Sequence, residues 1–279
     1  MPRLLITGAS GTLGSNVARI AQQQGWDVLG TYYTARPSLS GQWHRLDIRD
    51  RDAVMALARQ IQPAAIVHTA YMYRGAALWA TTADGAANVA LAATETGARL
   101  VHISSDAVFD GTSSPYTEAA RPNPITLYGA AKAAAETAVG AIASQAAIVR
   151  TSLIISREPL DPQTRLVLDL AAGRQNGHLF TDQYRCPIGV DDLAGAVLEL
   201  AANDFAEVIN VAGAEALTRY DLGCLIARAH QLDATKLAGA SVASLTAPTV
   251  VDVRLDSTLA RSLFKTPLRG IREWLAVEP

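Results

Sequence analysis

Cysteine is scarce in this chain of 279 residues: Cys186 and Cys224 stand far apart, without metal-type spacing. That leaves no disulfide framework, and both read as ordinary small apolar residues of a reducing compartment. The five histidines are scattered singly and form no His-Glu-x-x-His or similar pair, so no metal site is expected. An excess of one charge is also missing. With a net charge of −2, 18% charged residues and no basic run, the chain has no electrostatic footprint for nucleic acid or an anionic membrane. No apolar run reaches membrane-spanning length, since even the Ala-rich segment 130–149 carries Lys132, Glu136 and Gln145. Met1-Pro2-Arg3 leads straight into a short apolar run, so no signal peptide and a cytoplasmic location are expected.

What is present is rhythm. Short apolar runs at 4–6, 28–32, 65–68, 100–103 and 147–150 alternate with helical patterns at 13–24, 50–61, 82–96 and 127–144. That alternation predicts an α/β fold with a doubly wound parallel sheet, and runs this apolar suit strands covered on both faces. Gly25 is placed to end the first helix and Asp50 to cap the second. Beyond Thr151 the rhythm loosens, with prolines at 159, 162 and 187 and helical patterns at 191–202 and 219–231. The expected division is a dinucleotide-binding unit over 1–150 and a mainly substrate-binding lobe over 151–279, some of whose segments return to the first unit. Ligands of open α/β sheets bind at the carboxyl edge, beneath such a lobe.

Two motifs carry chemistry. Thr7-Gly8-Ala9-Ser10-Gly11-Thr12-Leu13-Gly14 follows the first strand and opens a helix. Gly8 suits the tight turn, Gly11 a close approach of pyrophosphate, and Gly14 tight helix–strand packing, while Ser10, Thr12 and Leu13 complete the phosphate turn at a positively polarised helix end. No carboxylate follows the second strand where a ribose 2′-hydroxyl would be held, and Arg36 could instead pair with a 2′-phosphate. That favours NADP(H), with NAD(H) as the alternative if Arg36 is merely a solvated loop residue. Asp47 and Ile48 are placed to face adenine, although Asp47 or Asp50 as a helix cap explains the same letters. The second motif is Tyr128 with Lys132, four apart and so on one helix face, where an ammonium can lower the pKa of a neighbouring phenol.

These motifs, with Ser104-Ser105-Asp106-Ala107-Val108-Phe109-Asp110-Gly111, Pro115-Tyr116-x-Glu118, Arg150-Thr151-Ser152, Thr181-Asp182-Gln183 and Val190-Asp191-Asp192-Leu193, resemble the extended short-chain dehydrogenase/reductases. Within them the chain is most similar to the dTDP-4-dehydrorhamnose reductase family, over almost its whole length. The resemblance implies a Rossmann-type fold with a smaller C-terminal substrate lobe and a metal-free, NADPH-dependent reduction of a keto sugar nucleotide. It assigns Ser105 to the substrate oxygen, Tyr128 to proton donation, and Lys132 to the nicotinamide ribose and the tyrosine pKa. Ser104 is the neighbouring candidate for the hydroxyl role. Asp106, Tyr71, Arg150, Asp182 and Arg185 are the further substrate candidates. Three departures stand out: Asp84 at the position assigned to a family asparagine, Leu153 at that of a tryptophan, and a loop 70–75 without the family's acidic run. Alternatives are a sugar-nucleotide epimerase or dehydratase with bound NAD, and a non-catalytic NADP-binding regulatory subunit, because the regulatory subunit of methionine adenosyltransferase has the same fold. A symmetric homodimer is the default assembly.

Overall fold

The computed structural model describes residues 1–246 and 249–276. Seven parallel strands form one sheet: β1 (Arg3–Thr7), β2 (Asp27–Tyr32), β3 (Gln42–Arg45), β4 (Ala65–His68), β5 (Arg99–Ile103), β6 (Ala147–Arg150) and β7 (Val208–Asn210). Their order is β7-β6-β5-β4-β1-β2-β3, so the winding reverses between β1 and β4. A crevice for ligands opens at such a reversal, beyond the carboxyl ends of the strands.

The strands are apolar along their length because both faces are covered. Leu4, Ile6, Val67, Val101 and Val149 face one layer, which includes α1 (Thr12–Gln23) and α6 (Val190–Ala201). Leu5, Ile66, Leu100 and Ile148 face the opposite layer, formed by α2 (Arg51–Ile61), α3 (Gly85–Thr96) and α4 (Leu127–Ile142). Alternate residues of a strand point to opposite faces, so each run supplies two cores at once.

Helix boundaries follow local chemistry. The Asp50 carboxylate accepts from the Ala53 amide at 3.0 Å, and the Thr126 hydroxyl accepts from the Gly129 amide at 3.0 Å. Asp50, not Asp47, is therefore the cap of α2. Gly25 follows α1 with φ +84°. The helix expected over 82–96 starts two residues earlier, and its first part, Ala80–Asp84, is a wider π-helical turn leading into α3.

Two strands escape the apolar-run criterion. In β3, Gln-Trp-His-Arg is polar and lies at the sheet edge, paired with 29–32 of β2. In β7, three residues from beyond position 200 pair with 148–150 of β6, so the chain returns to the main sheet. The same segment of sequence supplies α6, which packs on α1. Over the carboxyl edge lie α5 (Pro162–Ala171), α7 (Arg219–Ala229) and an antiparallel ribbon pairing Tyr184–Arg185 with Leu217–Thr218. No helix among the described residues is long and apolar enough to cross a membrane.

His68 and His102 stack inside the sheet, ring centroids 5.2 Å apart. His68 Nδ1 is bonded to the Thr7 hydroxyl at 2.6 Å, whereas both ring nitrogens of His102 lack a hydrogen-bond partner. Burial pulls His68 down to about 3 and His102 well below its ordinary value. Both are thus neutral in the folded state and take up protons on unfolding once the pH drops below about 6.5. Stability should be insensitive to these groups above that pH and fall as pH decreases towards about 3, by up to roughly 1.4 kcal/mol per pH unit for each imidazole. Denaturant titrations at several pH values should show His102→Leu with a shallower acid limb than the wild type; an unchanged slope would refute this assignment.

Candidate active site

The turn after β1 is shaped by glycine. Gly8 has φ +71°, and a Cβ at Gly14 would lie 2.3 Å from the Gly8 carbonyl oxygen. The turn closes through the Gly11 amide, which donates to the Gly8 carbonyl at 2.9 Å. Helix α1 begins with no side-chain cap and no acidic residue in its first turn. Its first amides and the positive end of its dipole therefore face the crevice without competition from a side-chain oxygen, an arrangement that fits a pyrophosphate. Gly11 and Ser10 are exposed there, Thr12 is half-buried, and Leu13 points into the core.

At the end of β2, Arg36 is exposed and paired with no carboxylate among the described residues. Asp47 is not free: Arg49 grips its carboxylate through Nε at 2.9 and 3.0 Å and also reaches the Tyr33 hydroxyl at 3.2 Å. The hydrogen bonds from Arg49 hold Asp47 below its ordinary pKa. Ile48 is buried with its side chain beside Gly85, and its carbonyl accepts from Asn88 at 3.0 Å.

Tyr128 lies on the first turn of α4, which approaches the turn after β5 so closely that a Cβ on Gly129 would sit 2.1 Å from the Ala107 carbonyl oxygen. That approach sets the Ser105 side chain beside the Tyr128 phenol, while Ser105 Oγ donates to Asp106 Oδ1 and accepts from the Ala107 amide, each at 3.2 Å. Lys132 is one helical turn on, 4% exposed, and its Nζ donates to the Ile103 carbonyl at 2.9 Å. Burial draws the ammonium down to about 8, against the opposing pull of Glu136.

The tyrosine departs from expectation. Burial, followed by the nearby Tyr71 hydroxyl, pushes the Tyr128 pKa well above its ordinary value. Lys132 does not reverse this, because its Nζ is tied to the backbone of β5 and lies 6.0 Å from the centroid of the Tyr128 ring.

The substrate candidates divide into two groups. Asp106 is buried at the cleft, accepts from Ser152 Oγ at 2.7 Å and faces Arg185 Nε at 3.6 Å. Burial raises its pKa against the pull of Arg185. Tyr71 stands beside Tyr128, with ring centroids 5.8 Å apart. Three other candidates are committed elsewhere. Ser104 faces away from the cleft and donates to Glu136 Oε1 at 2.5 Å, because neighbouring residues at a strand end alternate in direction. Arg150, 3% exposed, bonds Glu136 at 2.8 to 3.2 Å and the carbonyls of Glu118 and Ala120, so its charge is spent inside the core. Asp182 accepts from Val242 N at 2.8 Å and Ser241 Oγ at 2.5 Å, fixing a short turn of the lobe.

Residues not anticipated include Arg219, which the antiparallel ribbon sets beside Arg185 at the start of α7. Burial, then Arg185, lowers it to about 10. No sequence signal marks it. Glu136 was legible in principle, being four residues past Lys132 on one helix face. The expectation for Asp84 is corrected: Asp84 is exposed, whereas Thr82 is buried and bonds both the amide and the carbonyl of Met72, at 3.1 and 3.0 Å. Leu153 is half-buried against the core.

A family model described as RmlD substrate binding domain matches residues 2–276. Methionine adenosyltransferase 2 subunit beta of Xenopus laevis is 32% identical, over 98% of this chain and 87% of that protein. The probable low-salt glycan biosynthesis reductase Agl14 of Haloferax volcanii is 31% identical, over 87% of this chain and 85% of its own. The crystal structure of a dTDP-4-dehydrorhamnose reductase from Bacillus anthracis in complex with NADP has the same fold, with TM-score 0.85, 24% identity, and coverage of 99% of this chain and 97% of that one.

Ser104→Ala and Ser105→Ala should separate structure from chemistry. Removing the Ser104 hydroxyl deprives buried Glu136 of a charge-assisted hydrogen bond and should cost about 1–3 kcal/mol of unfolding free energy. Ser105→Ala loses only part-buried bonds, from the Ala107 amide and to Asp106 Oδ1 at 3.2 Å each, and should cost less, about 0.5 kcal/mol. Chemical denaturation of both variants is the measurement, and equal losses would contradict the orientations described.

Proposed function

The chain belongs to the RmlD substrate binding domain family, and from that premise we propose that it is an NADPH-dependent reductase of a keto sugar nucleotide. The observation that carries this reading is the meeting of Ser105, Tyr128 and Lys132 beside an uncapped helix end, at the carboxyl edge of the sheet.

The residues divide the work. Backbone amides at Thr12 and Leu13 would receive the pyrophosphate, with Gly11 letting it approach closely, Arg36 a 2′-phosphate, and Asp47 with Ile48 the adenine. Lys132 would hold the nicotinamide ribose. A dihydronicotinamide bound there supplies a hydride for the carbonyl carbon. Ser105 donates a hydrogen bond to the carbonyl oxygen and aligns it with the phenol. Tyr128, kept protonated through neutral pH by burial, delivers its proton to that oxygen as the C=O bond becomes CH–OH. Regeneration of the phenol takes one proton from solvent. Arg185 and Arg219 place two guanidinium groups next to each other near Asp106, which suits the diphosphate of a sugar nucleotide.

A second reading has its own support. The relatives named methionine adenosyltransferase 2 subunit beta share about a third of their residues with this chain, which favours an NADP-binding regulatory subunit without turnover. Retention of serine, tyrosine and lysine together favours the reductase.

NADPH oxidation in the presence of a 4-keto-6-deoxy sugar nucleotide separates the two. The wild type should turn over, and Tyr128→Phe should lower kcat by roughly 10²–10⁴-fold while still binding NADPH. Absence of turnover with any keto sugar nucleotide, together with NADPH binding, would favour the regulatory reading. Protein purified with bound NAD and no NADPH turnover would favour an epimerase or dehydratase.

A further inference from the structure

We infer that Tyr73 is a specificity-determining residue, an aromatic surface against which the apolar C–H face of a deoxygenated sugar ring lies. This rests on the reductase reading and names the part of the substrate that the cleft selects.

Tyr73 is 61% exposed and Tyr71 53%, yet both rings lie against Tyr128, with centroids 4.9 and 5.8 Å away. Aromatic rings that serve packing look different in this molecule. Phe109 and Tyr116 stack at 4.0 Å and are 0% and 6% exposed. Large apolar rings left open beside a reacting phenol have faces available to a ligand.

The loop that carries them is held rather than loose. Met72, between the two tyrosines, has both its amide and its carbonyl bonded to the Thr82 hydroxyl of the π-helical turn. The Arg74 guanidinium lies 5.9 Å from the Tyr73 ring and Lys132 Nζ 5.0 Å from that of Tyr71, so each ring is braced by a cation. Preorganisation of this kind reduces the ordering cost of binding.

The surroundings of the phenol are also polar: Asp106, bonded to Ser152 and facing Arg185, lies near Tyr128, and Arg219 is a neighbour of both Asp106 and Tyr73. A ligand reaching Tyr128 therefore meets both aromatic rings and charged groups. A flat aromatic ketone would leave the charged groups unused. A 6-deoxy sugar carrying a nucleoside diphosphate uses both, since its C–H bonds and methyl group meet the negative ring faces while hydroxyls and phosphates turn to the arginines.

The test compares two probes, dTDP and a dTDP-linked 6-deoxyhexose, titrated calorimetrically into wild-type protein, Tyr73→Ala and Tyr73→Phe. The affinity gained by adding the sugar to dTDP should shrink roughly tenfold in Tyr73→Ala, the size expected for one aromatic contact, and persist in Tyr73→Phe. Affinity for dTDP alone should be the same in all three, which a general structural defect would not allow. An equal sugar-dependent gain in wild type and Tyr73→Ala overturns the inference. If the wild type gains nothing from the sugar, the sugar-nucleotide assignment falls and this inference with it. A wild type that shows the Tyr73-dependent gain but oxidises no NADPH loses the reductase chemistry and keeps the platform.

Discussion

A buried ion pair holds α4, the helix of Tyr128 and Lys132, in place. Arg150 on β6 and Glu136 on α4 are 3% and 6% exposed, and Ser104 at the end of β5 completes the hydrogen bonds of the carboxylate. Two charges removed from water are tolerated only when each is fully satisfied, and removing one partner leaves the other stranded at a cost of about 3–5 kcal/mol. Nη1 of Arg150 donates to the carbonyls of Glu118 and Ala120. One cluster thus ties two strands, one helix and the loop before it into a fixed unit. Because Ser104 is drawn towards it, Ser105 turns to the other side. That is the side on which Tyr128 waits.

On the cleft side the electrostatics differ in kind. Glu136 and Arg150 neutralise each other, whereas Tyr128, Lys132 and Asp106 are each shifted by burial towards the uncharged form. A phenol with a raised pKa is a reservoir for one proton, and an amine near 8 changes charge at little cost. The cleft therefore holds protons ready and disfavours standing charge near the phenol of Tyr128. Arg185 and Arg219 supply fixed positive charge farther out, where phosphates would lie under the proposed function.

Much of this was legible in the residues. The apolar runs announced five strands of the sheet, the glycine turn announced its helix end, and four-residue spacing put Tyr128 and Lys132 on one face. Errors gathered where the signal was not local. β3 is polar because it is an edge strand, and β7 is three residues long, too short for any period to register. Ser104 and Ser105 carry the same side chain, so only the direction of each at the strand end separates them. Arg150 was read as a substrate contact although its charge is spent inside the core. Asp84 is exposed, whereas Thr82, two residues earlier in the π-helical turn, is the side chain that bonds Met72.

The sequence by itself determined the winding of the sheet, the phosphate turn and the pairing of tyrosine with lysine, because each depends on contacts within a few residues or on strict periodicity. Tertiary structure alone decided which serine meets the phenol, which arginine is structural, and that Tyr73 and Arg219, nearly 150 positions apart, border one cleft. Those outcomes depend on where distant segments cross and on how much water burial removes, and neither quantity is a property of a local stretch of chain.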